Sequence, residues 1–140
     1  MNFQDCIYFA NENPICFLAT VEDNQPRVRE LGFWFADKTG FYFQTSTTKN
    51  FYRHLKNNPN TEVCFYKHEE MIGTMLRITG KVEFIDNIKF KEKVLIDRPF
   101  LKDYGVTVNS AGLILFRIAK GEARFWTIKN LAKHRKAIKF

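Results

Sequence analysis

Arg27 and Arg29 stand two residues apart in the stretch Gln25-Pro26-Arg27-Val28-Arg29. On an extended strand such residues face the same side, about 7 Å apart. Two guanidinium groups so placed repel each other unless an anion lies near them, and their planar forks bond phosphate oxygens in pairs. Plain solvation of both is the alternative. Sharing a face with Leu31, Phe33 and Phe35 argues for a site instead. A second run, Thr45-Ser46-Thr47-Thr48-Lys49, falls where a strand gives way to a helix. Free N–H groups at a helix start, joined by hydroxyls and an ammonium, form a natural phosphate cradle. Capping by Thr47 or Thr48 would explain the hydroxyls equally well. One hairpin separates the two features, which places them on neighbouring strands and lets their cations converge on one phosphate.

The elements that must position these groups follow from periodicity and turn residues. Phe3, Ile7 and Ala10 recur at helical spacing, predicting a helix over Asn2–Asn13 that Pro14 closes. The apolar run Ile15–Val21 reads as a buried strand, and Glu22-Asp23-Asn24-Gln25 as the turn after it. Pro26–Phe35 reads as one long two-faced strand, with Arg27, Arg29, Leu31, Phe33 and Phe35 on one side. A hairpin at Ala36–Gly40 leads into the strand Phe41–Thr45, and a helix then runs to Asn57 with Phe51 and Leu55 inward. Strands are expected at Thr61–Tyr66 and Thr74–Ile85, a helix at Asn87–Ile96, and a loop at Lys102–Ser110. Leu113–Lys120 and Glu122–Lys129 are expected to pair as a hairpin pivoting on Gly121. Sequential, hairpin-linked strands indicate an antiparallel sheet, which could close into a small barrel. The fold class is therefore mainly β, with peripheral helices.

The totals agree. With 140 residues, 45% of them hydrophobic and 16% aromatic, the chain suits one β-rich domain, 1–140. Fifteen Phe and five Tyr could pack a core or meet a flat aromatic ligand. No basic-then-apolar leader and no membrane-length apolar run is visible, and three scattered cysteines suit a reducing compartment. A cytoplasmic protein without a membrane partner is expected. The cysteines and the three His make no metal-ligand spacing, so no metal is expected. Much of the net charge of +7 sits in the tail Lys129–Lys139, which reads as a solvated face. Without an RNP1-like strand, a nucleic-acid partner is not expected.

Taken in order, these motifs resemble those of the pyridoxamine 5′-phosphate oxidase-like split-barrel flavoproteins, and most of all the short nitroimidazole-resistance (Nim)-type proteins. The similarity rests on Gln25–Arg29, on Gly40-Phe41-Tyr42-Phe43-Gln44-Thr45, and on Lys49 and Leu55 followed by Asn58-Pro59. It continues through Met75–Phe84 and Gly121-Glu122-Ala123 to Trp126. The resemblance implies an antiparallel split β-barrel of the FMN-binding type, acting as a homodimer with flavin mononucleotide (FMN) at the subunit interface. By the same likeness, Arg27, Arg29 and Lys49 would hold the FMN phosphate with Thr47 and Thr48. Phe43, Gln44 and Thr45 would line the ribityl chain and ring, and Leu31 and Phe33 would lie beside the ring. Arg77 and Trp126 would come from the other subunit.

The chain departs from the oxidase itself at two places. Gly32-Phe33-Trp34 stands where that enzyme has a basic residue, and Thr127-Ile128-Lys129-Asn130 follows Trp126 without an Arg-x-His substrate motif. The favoured reading is thus an FMN-dependent oxidoreductase acting on an unknown small molecule, such as a nitro compound or a quinone. A flavin-binding electron carrier or sensor is the second reading, and a pyridoxamine-phosphate oxidase-like or haem-binding barrel the third. Tyr42, Tyr66 and His68 could donate protons, but packing or exposure explains each, so no residue is assigned to catalysis.

Overall fold

The computed structural model describes residues 1–130 and 136–140. Lys133, His134 and Arg135 of the basic tail lie outside the described residues.

Helix α1 (Phe3–Glu12) starts at a capping box, in which Asn2 and Asp5 each bond the other's backbone N–H. Its inner face, Cys6, Ile7 and Ala10, is buried. Strands β1 (Ile15–Glu22) and β2 (Gln25–Gly32) form a hairpin in register from Ile15↔Gly32 to Glu22↔Gln25. Asp23 and Asn24 take positive φ at its turn, the geometry of the tight two-residue hairpins that these residue types favour. Next come β3 (Phe35–Asp37), β4 (Gly40–Ser46), α2 (Asn50–Asn57), β5 (Asn60–Lys67), β6 (Thr74–Lys81) and β7 (Glu83–Ile85). Helix α3 (Ile88–Asp97), the short α4 (Phe100–Asp103), β8 (Leu113–Ile118), β9 (Gly121–Trp126) and β10 (Ile138–Lys139) complete the order.

The strands make two antiparallel sheets. One runs β10-β9-β6-β5-β1-β2 and the other β3-β4-β8-β7. Leu18, Phe43, Phe65, Leu76, Phe116 and Ile118 meet between them in one buried cluster. Rings carry much of this packing, with Phe43 stacked on Phe116 at 4.9 Å and Phe33 edge-on to Phe65 at 4.9 Å. A second, smaller cluster lies under α3 and α4, around Val94, Leu95, Leu101 and Leu115.

Five expectations are corrected. The two sheets pack face to face without closing into a ring, so among the described residues the terminal strands β10, β2, β3 and β7 each pair on one side only. Strands β8 and β9 do not pair with each other: β8 lies between β4 and β7, while β9 lies on β6. The chain crosses between sheets at Gly121, where a Cβ would sit 2.0 Å from the Thr79 carbonyl oxygen. The stretch 74–85 is likewise two strands, one in each sheet. Val82 turns inward between them, and its N–H bonds Pro59 O at 2.8 Å. The two-faced strand also ends early, at Gly32. Phe33 donates its N–H to Pro14 O and enters the core, while Phe35 stacks on Tyr42. The expected loop 102–110 begins as the last turn of α4.

Candidate functional site

A cavity of about 860 Å³ opens between the edge strand β2, the end of β4, the start of α2 and the α3–α4 corner. Arg27, Arg29, Leu31, Gln44, Thr45 and Lys49 all line it, so the structure brings together most of the residues singled out by sequence. The two arginines lie on β2 and Lys49 at the head of α2, as strand and helix periodicity require. Strands β2 and β4 are not hydrogen-bonded neighbours, however. They belong to different sheets and meet only across the cavity.

Arg29 is held from two sides. Its Nη1 donates to Leu18 O at 2.9 Å, and its guanidinium lies 5.2 Å from the Phe51 ring centroid. Burial pulls its pKa down from the ordinary arginine value. It pairs with no carboxylate among the described residues, and neither does Lys49. Arg27 differs, because its Nη2 is 3.3 Å from Glu22 Oε1. Glu22 also takes Arg53 at 3.0 Å and lies 3.2 Å from His54 Nε2. The Arg53 hydrogen bond, followed by His54 and Arg27, outweighs desolvation and holds the Glu22 carboxyl below its usual range.

The head of α2 is open. Lys49 is its N-cap and has an extended backbone and no side-chain cap bond. Ser46 Oγ instead accepts from Thr48 N at 3.3 Å and lies 3.0 Å from Thr48 Oγ1. Thr47 and Thr48 are exposed in the turn between Ser46 and Lys49, and neither caps the helix. Its first N–H groups and positive dipole end are therefore available beside the cavity, where Asn50 and Phe51 form the wall.

The remaining sequence candidates lie elsewhere. Phe43 is fully buried in the core, so only its backbone can approach the cavity. Arg77 on β6 pairs with Glu62 at 3.6 Å, and Trp126 on β9 lies opposite Met75 in the ladder. Both belong to the outer face of the six-stranded sheet, away from this cavity.

Sequence reasoning missed two residues. His54, which is 4% exposed, bonds Thr20 Oγ1 through Nδ1 at 2.9 Å, while its Nε2 is poorly aligned on Glu22 and makes no hydrogen bond. Its position one turn inside α2 was the available signal. Arg98, the C-cap of α3, reaches across to Gly32 O and Gln44 Oε1, both at 3.1 Å. Nothing in the sequence pointed to that reach. Among the described residues no group of His, Cys, Asp and Glu could hold a metal ion, and no helix is long and apolar enough to cross a membrane.

The site therefore offers unneutralised cations, an open helix start and an apolar wall of Leu31, Phe100 and Leu101. That donor set suits a ligand with an anionic end and a flat or apolar body. The sequence matches the family described as Pyridoxamine 5′-phosphate oxidase over residues 5–126. No curated protein matches it. Among solved structures, a NimC/NimA family protein from Clostridium acetobutylicum is 26% identical with a TM-score of 0.81, over 98% of this chain and 92% of that one. General Stress Protein 26 from Bacillus anthracis shares the fold at 16% identity and a TM-score of 0.74, over 100% of both chains. An FAD-binding protein from Mesorhizobium loti does so at 18% identity and a TM-score of 0.65, over 89% of this chain and 93% of that one. With the family match spanning most of its length, the chain belongs to the pyridoxamine 5′-phosphate oxidase family.

Proposed function

We propose that residues 1–140 form one flavin-binding domain that takes FMN in the 860 Å³ cavity, with the phosphate on Arg29, Lys49 and the head of α2. The observation that carries this reading is the pair of cations, Arg29 and Lys49, which line the cavity beside an uncapped helix start and have no carboxylate partner among the described residues. Arg27 joins them by releasing or sharing Glu22. Leu31 and the Gln44-Thr45 segment would border the ring and ribityl chain. Membership of the family and the FAD-binding neighbour support a flavin, and the phosphate-suited end of the cavity favours a phosphorylated flavin over riboflavin.

A homodimer belongs to the same proposal. Outward residues of the six-stranded sheet include Val28, 70% exposed, and Phe17, 42% exposed, with Ile15 and Tyr66 also open. An apolar sheet face of this kind suits a subunit interface. Arg77 and Trp126 lie on that face, from which a partner could present them to the other subunit's flavin. Bound flavin would supply redox chemistry, and the protein would orient it and exclude water. The reaction proposed is reduction of small electrophiles such as nitro compounds or quinones. The missing Arg-x-His motif after Trp126 weighs against pyridoxamine-phosphate oxidation. The cysteines are all free, which suits a cytoplasmic setting.

Titration of the protein with FMN and with riboflavin tests the reading. FMN should bind at least tenfold more tightly, and equal affinities would remove the phosphate assignment. Sedimentation of the FMN-loaded protein should give a dimer mass, and a monomer would overturn that part.

A further inference from the structure

Arg98 is the cation of the cavity that the phosphate reading leaves unused. It enters from the α3–α4 corner and lines the wall with Gly32 and Gln44. Nη2 donates to Gly32 O at 3.1 Å and Nη1 to Gln44 Oε1 at 3.1 Å. Its guanidinium also rests 5.6 Å from the Phe100 ring centroid. These contacts use two of its five N–H donors and no carboxylate among the described residues neutralises it, so directed hydrogen bonds and a positive charge remain. Since Gln44 Oε1 accepts from Arg98, the amide orientation is fixed, and Nε2 faces Thr45 O at 3.1 Å.

Its place along the cavity separates it from the phosphate end. Gly32 is three residues along β2 from Arg29, about 10 Å by strand rise. The sequence also makes room for it. A Cβ at position 32 would stand 2.9 Å from Arg98 Nη2, and the glycine has no positive φ to explain its choice. Gly32 is therefore glycine where a guanidinium approaches closely enough to donate to its carbonyl.

We propose that Arg98 is the residue that recognises the electron-rich pyrimidine end of the flavin ring and favours the reduced, more negatively charged cofactor. This inference rests on the FMN reading and names the ring-end determinant of the same site. Charge beside the ring tunes flavin electronics, so a fixed cation there binds reduced flavin more tightly than oxidised flavin. Acting on the ring, Arg98 should contribute equally to FMN and riboflavin, whereas Arg29 contributes to FMN alone.

The test compares wild type, Arg98→Met, Arg98→Lys and Gly32→Ala for affinity towards oxidised FMN and riboflavin and for the midpoint potential of bound FMN. Arg98→Met should weaken both flavins by a similar factor and lower the reduced-to-oxidised affinity ratio about tenfold, or about 30 mV for a two-electron couple. Arg98→Lys should restore part of the potential. Gly32→Ala keeps the charge and displaces only the end of a flexible side chain, so it should fold and shift the potential the same way by less. It covers the case in which the Met variant fails to fold. Unchanged potential and affinity in FMN-loaded variants would overturn the role of Arg98 and leave the FMN site standing. Loss of FMN affinity with riboflavin unaffected would move Arg98 to the phosphate and refute the inference too. Wild type that takes up neither flavin would sink the FMN reading and this inference with it.

Discussion

Replacing Arg29 with alanine should weaken FMN binding by about 1.5–3 kcal/mol, the range for a hydrogen bond to a charged partner. That is roughly a 10- to 150-fold rise in Kd. The upper part of the range is favoured by the surroundings. Arg29 has been partly desolvated already and is pinned by Leu18 O and the Phe51 ring, so little ordering remains to be lost on binding. Arg27 provides the internal comparison. Its side chain is 52% exposed and held by Glu22, so binding phosphate must disrupt an existing ion pair. Arg27→Ala should therefore cost less, about 0–1 kcal/mol. Fluorescence titration with FMN and riboflavin in parallel separates the phosphate from the ring, because only FMN carries the anion. A large FMN loss is expected for Arg29→Ala, a small one for Arg27→Ala, and unchanged riboflavin affinity in both. Equal losses for the two flavins, or a reversed order of the two arginines, would refute the phosphate assignment.

Other consequences concern the fold around the site. The Glu22 carboxyl is held low, so its contribution to stability is present above its unfolded pKa, near 4.5, and is lost as pH falls through the lower folded value. The melting temperature difference between wild type and Glu22→Gln should therefore be steady above about pH 5 and shrink towards acid; a difference that grows on acidification would contradict the pairing. The Asn11 side chain binds both backbone groups of Ala36, at 2.8 and 2.9 Å, and so ties α1 to β3. Asn11→Ala should cost about 2–3 kcal/mol in urea unfolding by stranding both groups. Burial pushes the Cys6 and Cys16 thiols up to about 11 and about 12, so a thiol reagent at pH 8 should modify neither until the protein unfolds. Rapid labelling of either in the native protein would show that the packing is looser than described.

What was legible in the sequence was local. Asn2, Asn13, Asn57 and Asn87 mark helix ends because capping chemistry is written in a few adjacent residues. Strand period puts Arg27 and Arg29 on one face, and the strand-to-helix junction puts Lys49 at a helix start, whereas their meeting across the cavity depends on how the two sheets pack. The assignment of strands to sheets was not legible. Leu113–Ile118 has the pattern of a buried strand whichever neighbour it takes, and its partners β4 and β7 lie far back in the chain. The breaks at Gly32 and Val82 were hidden for the same reason, because turning Phe33 and Val82 inward serves a core assembled from distant elements. Arg98 is the extreme case. It meets Gly32 across 66 residues of sequence, and only the packing of α3 and α4 over the cavity brings it there.

The claim that this cavity holds FMN is tested most directly by the visible absorption spectrum of the purified protein, with mass analysis of whatever heat releases from it. Flavin absorption bands and a released molecule with the mass of FMN are expected. A colourless protein that gains no bound flavin after incubation with FMN would contradict the claim.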